Sequence, residues 1–506
     1  MSFNFDKRQF EEIISKNQSA VLFKKISSDN FTIISSFLKL SKFYDENIFL
    51  LESAENGNNK GRFSAIGLMA DMVWKCENNK SYINSNFANY PENFVLENGD
   101  IFDNFREFLA SSKINWSDLK YQNSQLPSIC SGVFGYMNYD MVRFMERLPN
   151  RNLPDEINVP DSIFVRPQIL IVFDSLFDCA LICCPVFRDN MRDYDSLCDK
   201  IQNVIKILQE TTVIEKNLDK ESFIFDDEFK SNYSQNEYCD IVEKSKEYIV
   251  AGDIFQILPS QRFSANFDKN LDPFYFYRSL RSINPSPFLF YLKFKDFVIT
   301  GSSPEIMVSL QKDVVTIRPL AGTRARGNSQ AQDEEISKEL LNDEKEVAEH
   351  LMLIDLGRHD LGSIAKANTV KVTKKMAVEF YSHVMHLSST IEGKILDDYD
   401  AVDALIAGFP AGTVSGAPKI RAMEIIEEIE KVKRSFYAGC VGYFASNGDM
   451  ETCITLRTAL IKDGKIYVQT GAGVVFDSVA INEYNECINK SKALIRAYQN
   501  IKNLLE

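Results

Sequence analysis

Apolar positions along the chain change period repeatedly, and each change marks an element. Two apolar runs flank the polar stretch N-G-N-N-K-G, which predicts a strand, a turn and a second strand over 47–75. Strands and turns continue to about Phe187, G-V-F-G-Y-M-N-Y-D among them, with a helix expected near 190–209. A helix from about Glu237 to Val250 stops at A-G-D. The runs I-F-Q-I-L-P-S-Q-R-F, F-L-F-Y-L-K-F, F-V-I-T and E-I-M-V-S-L-Q then predict strands with hairpin-length breaks. A long helix over 334–356 puts Ile336, Leu340, Val347, Leu351 and Ile354 on one face. Strands follow near 369–373 and 380–391, then a helix after Pro418, strands at 437–445, 453–461 and 465–470, and a closing helix over 481–504. Runs of strands broken by helices indicate an α+β fold with antiparallel sheets.

The pattern fades between 210 and 236, which is polar and acidic, and this sets an expected division into residues 1–225 and 226–506. Composition is that of a globular protein, 45% apolar and 25% charged. A net charge of −14 disfavours nucleic acid or an anionic membrane as partner, so an anionic substrate would need local basic groups. The start M-S-F-N-F-D-K-R-Q-F-E-E lacks a signal-peptide core, and no apolar run approaches the ~18 residues of a membrane span. Ten cysteines without a C-x-x-C pair, three of them (Cys179, Cys183, Cys184) in one apolar run, read as reduced thiols of a cytoplasmic protein. The four histidines, His350, His359, His383 and His386, show no zinc-like spacing.

Candidate chemistry concentrates late in the chain. The stretch F-P-A-G-T-V-S-G-A-P-K-I-R-A-M, residues 409–423, sets Thr413 and Ser415 among glycines and prolines and runs into a helix. Pro418 suits a first helical turn, and with Lys419 and Arg421 the junction reads as an ordinary loop or an anion cradle. Glu349 lies where its helix becomes apolar nearly all round, which requires either an ion pair or a metal. In the closing helix Tyr484, Ile488, Ile495 and Tyr498 form the expected core face. Periodicity leaves Glu483 and Glu486 solvated, with Glu486 and Lys490 as an i,i+4 pair. Gly471 and Gly473 leave backbone N–H groups uncovered, and Arg457, in an otherwise apolar strand, suits a carboxylate.

In order along the chain, L-L-E-S, A-G-D-I-F-Q, N-P-S-P-F, G-S-S-P-E, R-P-L-A-G-T-R, E-V-A-E-H-L-M-L-I-D-L-G-R-H-D-L-G, Y-S-H-V-M-H, F-P-A-G-T-V-S-G-A-P-K, Y-A-G-C-V-G-Y and G-A-G together resemble the chorismate-utilising enzymes, most closely the anthranilate synthase large subunit. The resemblance implies two interleaved subdomains with large antiparallel sheets flanked by helices, the first carrying part of a tryptophan site and the second binding chorismate. It implies Mg²⁺ on Glu349 and Glu486, the latter against the solvated reading. Chorismate would lie near Gly322, Thr323, Tyr437, Arg457, Gly471, Ala472 and Gly473, with Thr413 adding a hydroxyl. His386 would serve the final pyruvate elimination, and Glu305 would protonate the departing hydroxyl. Glu52, Ser53, Pro285, Ser286 and Pro287 would hold L-tryptophan as inhibitor.

Two positions bear on the reaction type. Relatives that add water usually carry Lys at the place of Gln256, whose amide cannot serve as base; ammonia needs none. Relatives that make aminodeoxychorismate often carry Lys in place of Ala321, so Ala321 favours anthranilate, with the aminodeoxychorismate synthase large subunit as the alternative. No glutaminase triad is present, since Cys440 sits in a strand-like run; a separate glutamine amidotransferase subunit, in a heterotetramer, is implied. The chain departs from the usual pattern at His359, Leu320 and Glu451, and His359 is expected to bear on the pH response.

Overall fold

The computed structural model describes residues 2–53, 61–116, 119–121, 124–149, 152–190, 192–210, 223, 225–226, 228–381 and 384–505. Most of the N-G-N-N-K-G turn, much of the 210–236 boundary and His383 lie outside the described residues.

Two long antiparallel strands, Phe63–Glu77 and Ser162–Asp174, pair with each other and carry two arms of sheet. One arm runs through Ile48–Glu52, Phe288–Lys293, Phe297–Ser303, Thr458–Lys462, Lys465–Gly471 and Ser260–Asn266. The other runs through Gly132–Met137, Cys440–Ala445, Met450–Ile454, Ile306–Gln311 and Val314–Ile317. It ends at Val384–Lys394, which pairs with Val314–Ile317, Leu320–Ala325 and Lys371–Phe380. Every pairing is antiparallel, and strands from both sides of residue 225 interleave within one 21-stranded sheet.

Alternation along the strands explains the layering. In Phe288–Lys293, Leu289 and Tyr291 face a helix-covered core, while Phe290 and Leu292 face the layer between the arms. On the other arm Val441 joins that inner layer, and Cys440 and Phe444 point outward beneath the helices Ile101–Ser111 and Ala401–Gly408. Strands buried on both faces therefore read as unbroken apolar runs. The inner layer is rich in phenylalanine, with Phe49 stacked on Phe134 at 4.6 Å between ring centroids. Each such side chain contributes roughly 1.5–3 kcal/mol of burial.

Several elements differ from the sequence expectation, for local reasons. The helix expected over 334–356 is two helices, Gln330–Asn342 and Glu344–Gly362. Asp343 makes the break, accepting from the N–H groups of Lys345 and Glu346 at 3.1 and 3.2 Å. The face does not carry across it, and Leu351 is 39% exposed instead of core. The closing helix, Ala480–Gln499, buries Glu483, Cys487, Ser491, Leu494, Ala497 and Tyr498; of the expected face Tyr498 is fully buried, while Tyr484, Ile488 and Ile495 are only half-buried. The small Cys487 and Ser491 seat the helix closely on its neighbouring strand, where the Thr470 hydroxyl donates to the Cys487 carbonyl at 3.0 Å. Strand 453–461 is interrupted, with Arg457 at φ 48 between Met450–Ile454 and Thr458–Lys462. Short helices such as Ile33–Leu40, Ile101–Ser111 and Phe274–Ile283 stand where apolar runs gave no helical signal long enough to separate from strand.

Candidate active site

The strand ends and the two helices Glu344–Gly362 and Ala480–Gln499 enclose a cavity of about 810 Å³. Gln256, Glu305, Thr413 and His386 line it, as do Gly322, Thr323, Tyr437, Arg457, Gly471 and Gly473. Glu349 and Glu486 face the same space, and so does Ala321. Ala472 is fully buried and does not line it.

Glu305 follows the strand Phe297–Ser303 and is 5% exposed. Its carboxyl accepts from the Leu320 N–H at 3.2 Å and the Thr413 hydroxyl at 3.0 Å. Burial outweighs both contacts and pushes its pKa up to about 8, so it carries a proton at neutral pH. Thr413 owes its place to the stretch at 409–423. There the Gly416–Ala417 strand pairs with Gln256–Ile257, and Arg434 ties the Val414 and Leu258 carbonyls together at 2.7 and 2.6 Å. Arg434 and Glu430 form an ion pair at 2.6 Å that is almost wholly buried. Gly416 has φ +143, and a Cβ there would stand 2.3 Å from the Gln256 carbonyl oxygen.

The anion cradle considered for this junction is not free. Lys419 is paired with Asp360 at 2.8 Å, and Arg421 with Asp253 and Glu424 at 3.0 and 2.8 Å. Pro418 precedes the helix as an extended cap rather than filling its first turn. This stretch organises the cavity wall.

His386 sits in the strand Val384–Lys394. Its Nδ1 is 2.9 Å from the Gly322 carbonyl, which can only accept, so Nδ1 holds the proton. Nε2 is buried without a partner. Burial, then the charge of Arg457, lower the imidazole pKa to about 4, keeping it neutral with a free lone pair.

The Arg457 carbonyl accepts from the Ser302 N–H at 3.1 Å, but its guanidinium makes no hydrogen bond or ion pair among the described residues, although Glu305 and Tyr381 lie within electrostatic reach and burial lowers its pKa. A guanidinium left unpaired in a cavity wall is a receptor for a carboxylate. The Gln256 Oε1 is likewise buried and unpartnered, and a Cβ on Gly473 would come within 3.1 Å of its Nε2. Tyr437 stands beside Gly471, with its hydroxyl 3.0 Å from where a Cβ would be.

Acidic groups gather on the helical side. Burial pushes Glu349 up to about 7; Lys345 opposes this, while Glu346, Glu483 and Glu486 add to it. Glu486 is 48% exposed and pairs with Lys490 at 2.7 Å, as periodicity indicated. Glu483, expected in solvent, is instead 8% exposed because the helix turns that face inward. Carboxylates converging from two helices suit a hard dication that takes few protein oxygens and completes its shell with substrate and water. No closed cage of three or more ligating side chains exists among the described residues.

Beyond the expected set, Tyr381, Asn284, Gln469 and Glu483 also line the cavity, with Lys345, Lys490, Lys492 and Arg496 as cations on its wall. Of these Glu483 and Lys490 carried a sequence signal, as the i−3 and i+4 neighbours of Glu486 on one helix. His359 is exposed on its helix and does not line the cavity, which removes the ground for giving it a direct influence there. Cys440 is buried in a strand, its thiol pushed up to about 12 by burial.

The segments L-L-E-S and N-P-S-P adjoin the same strand pair, Glu52 being the cross-strand partner of Leu289, two residues beyond Pro287. Glu52 is buried and accepts from the Tyr277 hydroxyl at 2.9 Å and the Arg281 Nε at 2.7 Å, so it orients neighbours. Ser286 is buried with an unpartnered hydroxyl. Pro285 lines the main cavity; Glu52, Ser53, Ser286 and Pro287 do not.

The fold and cavity define the class first: the family described as "chorismate binding enzyme" matches residues 48–496. Anthranilate synthase component 1 of Cereibacter sphaeroides is 42% identical over 492 residues, 96% of each chain. That of Aquifex aeolicus is 40% identical over 494 residues, again 96% of each. The crystal structure of anthranilate synthase component I from Streptococcus pneumoniae has a TM-score of 0.75 and 34% identity, covering 93% of this chain and 99% of that one. The menaquinone-specific isochorismate synthase of Escherichia coli shares the fold at 17% identity, with a TM-score of 0.69 over 97% and 98% of the two chains. The chain belongs to the chorismate binding enzyme family, among its anthranilate synthase component 1 members. Among the described residues no helix is long and apolar enough to cross a membrane.

Proposed function

We propose that the cavity takes chorismate with Mg²⁺ and ammonia and returns anthranilate and pyruvate, the committing step toward tryptophan. One observation carries this: a protonated carboxyl at Glu305 and a neutral imidazole with a free Nε2 at His386 share a cavity with an unpaired Arg457. Arg457, Tyr437 and the backbone at Gly471–Gly473 hold the substrate, with Gly322, Thr323 and Thr413 around it. Glu305 gives its proton to the departing hydroxyl as ammonia adds, and His386 takes a proton as pyruvate leaves. Gln256 offers an amide at the point where a water-activating base would be needed, which suits ammonia. Mg²⁺, when bound, supplies a Lewis acid for the substrate's carboxylate, and Glu349 and Glu486 would hold it with Glu483 beside them.

Nitrogen reaches the site as free ammonia or from a glutamine amidotransferase subunit, in a heterotetramer. Tryptophan inhibits from a site built on residues 52–53 and 285–287, which flank the paired strands Ile48–Glu52 and Phe288–Lys293. The test is product identification with the pure chain, chorismate and Mg²⁺. Ammonium at raised pH should yield anthranilate, and glutamine alone should yield none. A non-aromatic amino acid as the end product, or no product, overturns the function; efficient glutamine use by the single chain overturns the partner alone.

A further inference from the structure

We propose that Tyr381 is a positioning residue that fixes the imidazole of His386 for proton transfer. This rests on the reading above, in which His386 acts in the pyruvate-releasing step. There the C–H bond at the aminated ring carbon breaks toward Nε2 as the ring C–O bond of the enolpyruvyl ether breaks: the C–H electron pair becomes the ring double bond that completes aromaticity, and the C–O pair leaves on the enolpyruvate oxygen. The released enolate takes a proton at its methylene carbon to become pyruvate. Transfer to Nε2 requires one ring orientation, and Nδ1 bonded to the Gly322 carbonyl fixes only one edge of the ring.

Tyr381 supplies the second constraint. It follows the strand Lys371–Phe380, and its N–H donates to the Val384 carbonyl at 2.8 Å as the chain returns into the His386 strand. Its ring meets the imidazole nearly edge to face, with centroids 5.4 Å apart and planes at 70°. The Tyr381 hydroxyl donates to Glu379 at 3.2 Å. Glu379 is the cross-strand partner of His386 and is held in turn by Arg318 and by the Ser388 hydroxyl at 2.7 Å. A carboxylate gripped from three sides thus anchors the ring that walls the imidazole. The hydroxyl proton is already committed to Glu379, so the phenol is a wall and not a proton donor to substrate.

The test uses the full chain in the ammonium assay with Tyr381→Leu and Tyr381→Phe. Loss of the ring should lower kcat roughly 10- to 100-fold with little change in KM for chorismate. It should also raise the share of non-aromatic aminated intermediate, because only the second step is slowed. Phenylalanine keeps the wall and should restore most of kcat. Independently of product, ¹⁵N-histidine spectra of a chain with only four histidines should show His386 as a single Nδ1–H tautomer in wild type and Tyr381→Phe. Tyr381→Leu should give mixed tautomers. A Tyr381→Leu enzyme with unchanged kcat or unchanged imidazole signals overturns the proposal, as does a Tyr381→Phe enzyme as impaired as Tyr381→Leu. Failure of the functional reading would show instead as wild-type chain without anthranilate, while the imidazole spectra still decide the role of Tyr381.

Discussion

Glu305 and His386 are tuned in opposite directions by the same cause. Burial disfavours charge on either, so the acid keeps its proton to about pH 8 and the imidazole stays neutral down to about pH 4. The signs give a window. Above about 8 Glu305 ionises and can no longer donate; below about 4 His386 is charged and can no longer accept. Measured at saturating free ammonia, and with Mg²⁺ saturating so that Glu349, pushed up to about 7 by burial, is held ionised, kcat should be flat between these limits and fall on both sides. Glu305→Gln keeps the shape but has no transferable proton, so kcat should drop about 10²- to 10⁴-fold and the alkaline limb should vanish. A variant retaining near-normal kcat would assign the proton to another donor.

Elements place these residues, and they were legible to different degrees. Long apolar runs such as F-L-F-Y-L-K-F gave strands because burial on both faces leaves no polar positions to misread. Glu483 was misread because its helix packs through Cys487 and Ser491, small residues that weigh little in a periodic pattern. Arg457 was read into one continuous strand, since nothing in T-C-I-T-L-R-T announces a residue at φ 48. Lys419 looked available because its partner Asp360 is distant in sequence, as is Asp253, one of the two carboxylates that hold Arg421; the other, Glu424, is only three residues on. Two predictions belong at this scale. Gly416→Ala places a Cβ against the strand that carries Gln256 at a positive φ, and should cost at least about 1–3 kcal/mol in chemical denaturation and lower activity as well. Glu349→Gln and Glu486→Gln, one on each helix, should each cut Mg²⁺-dependent activity by roughly 100-fold while leaving the melting temperature nearly unchanged. For Glu486 the lost pair with Lys490 is exposed and worth less than about 1 kcal/mol. Normal activity at ordinary Mg²⁺ would make that glutamate structural.

Across the whole molecule, the turn at 284–287 connects two regions. Pro285 lines the cavity, while Ser286 and Pro287 lead into the strand paired with Ile48–Glu52. A ligand bound against Ser53 and Ser286 can therefore favour a turn that receives chorismate poorly, and linkage makes the opposition mutual. Ser53→Phe should give an active enzyme that millimolar tryptophan no longer inhibits; full inhibition of that variant would move the effector elsewhere. The interleaved sheet adds a thermal consequence. Unfolding either half strips the hydrogen-bonded edges from the other, so calorimetry should record one cooperative transition despite 506 residues, and two resolved peaks would contradict this. If chorismate and tryptophan both bind as proposed, each should raise that one melting temperature even while opposing the other, because each would bind only a folded form of the same indivisible sheet.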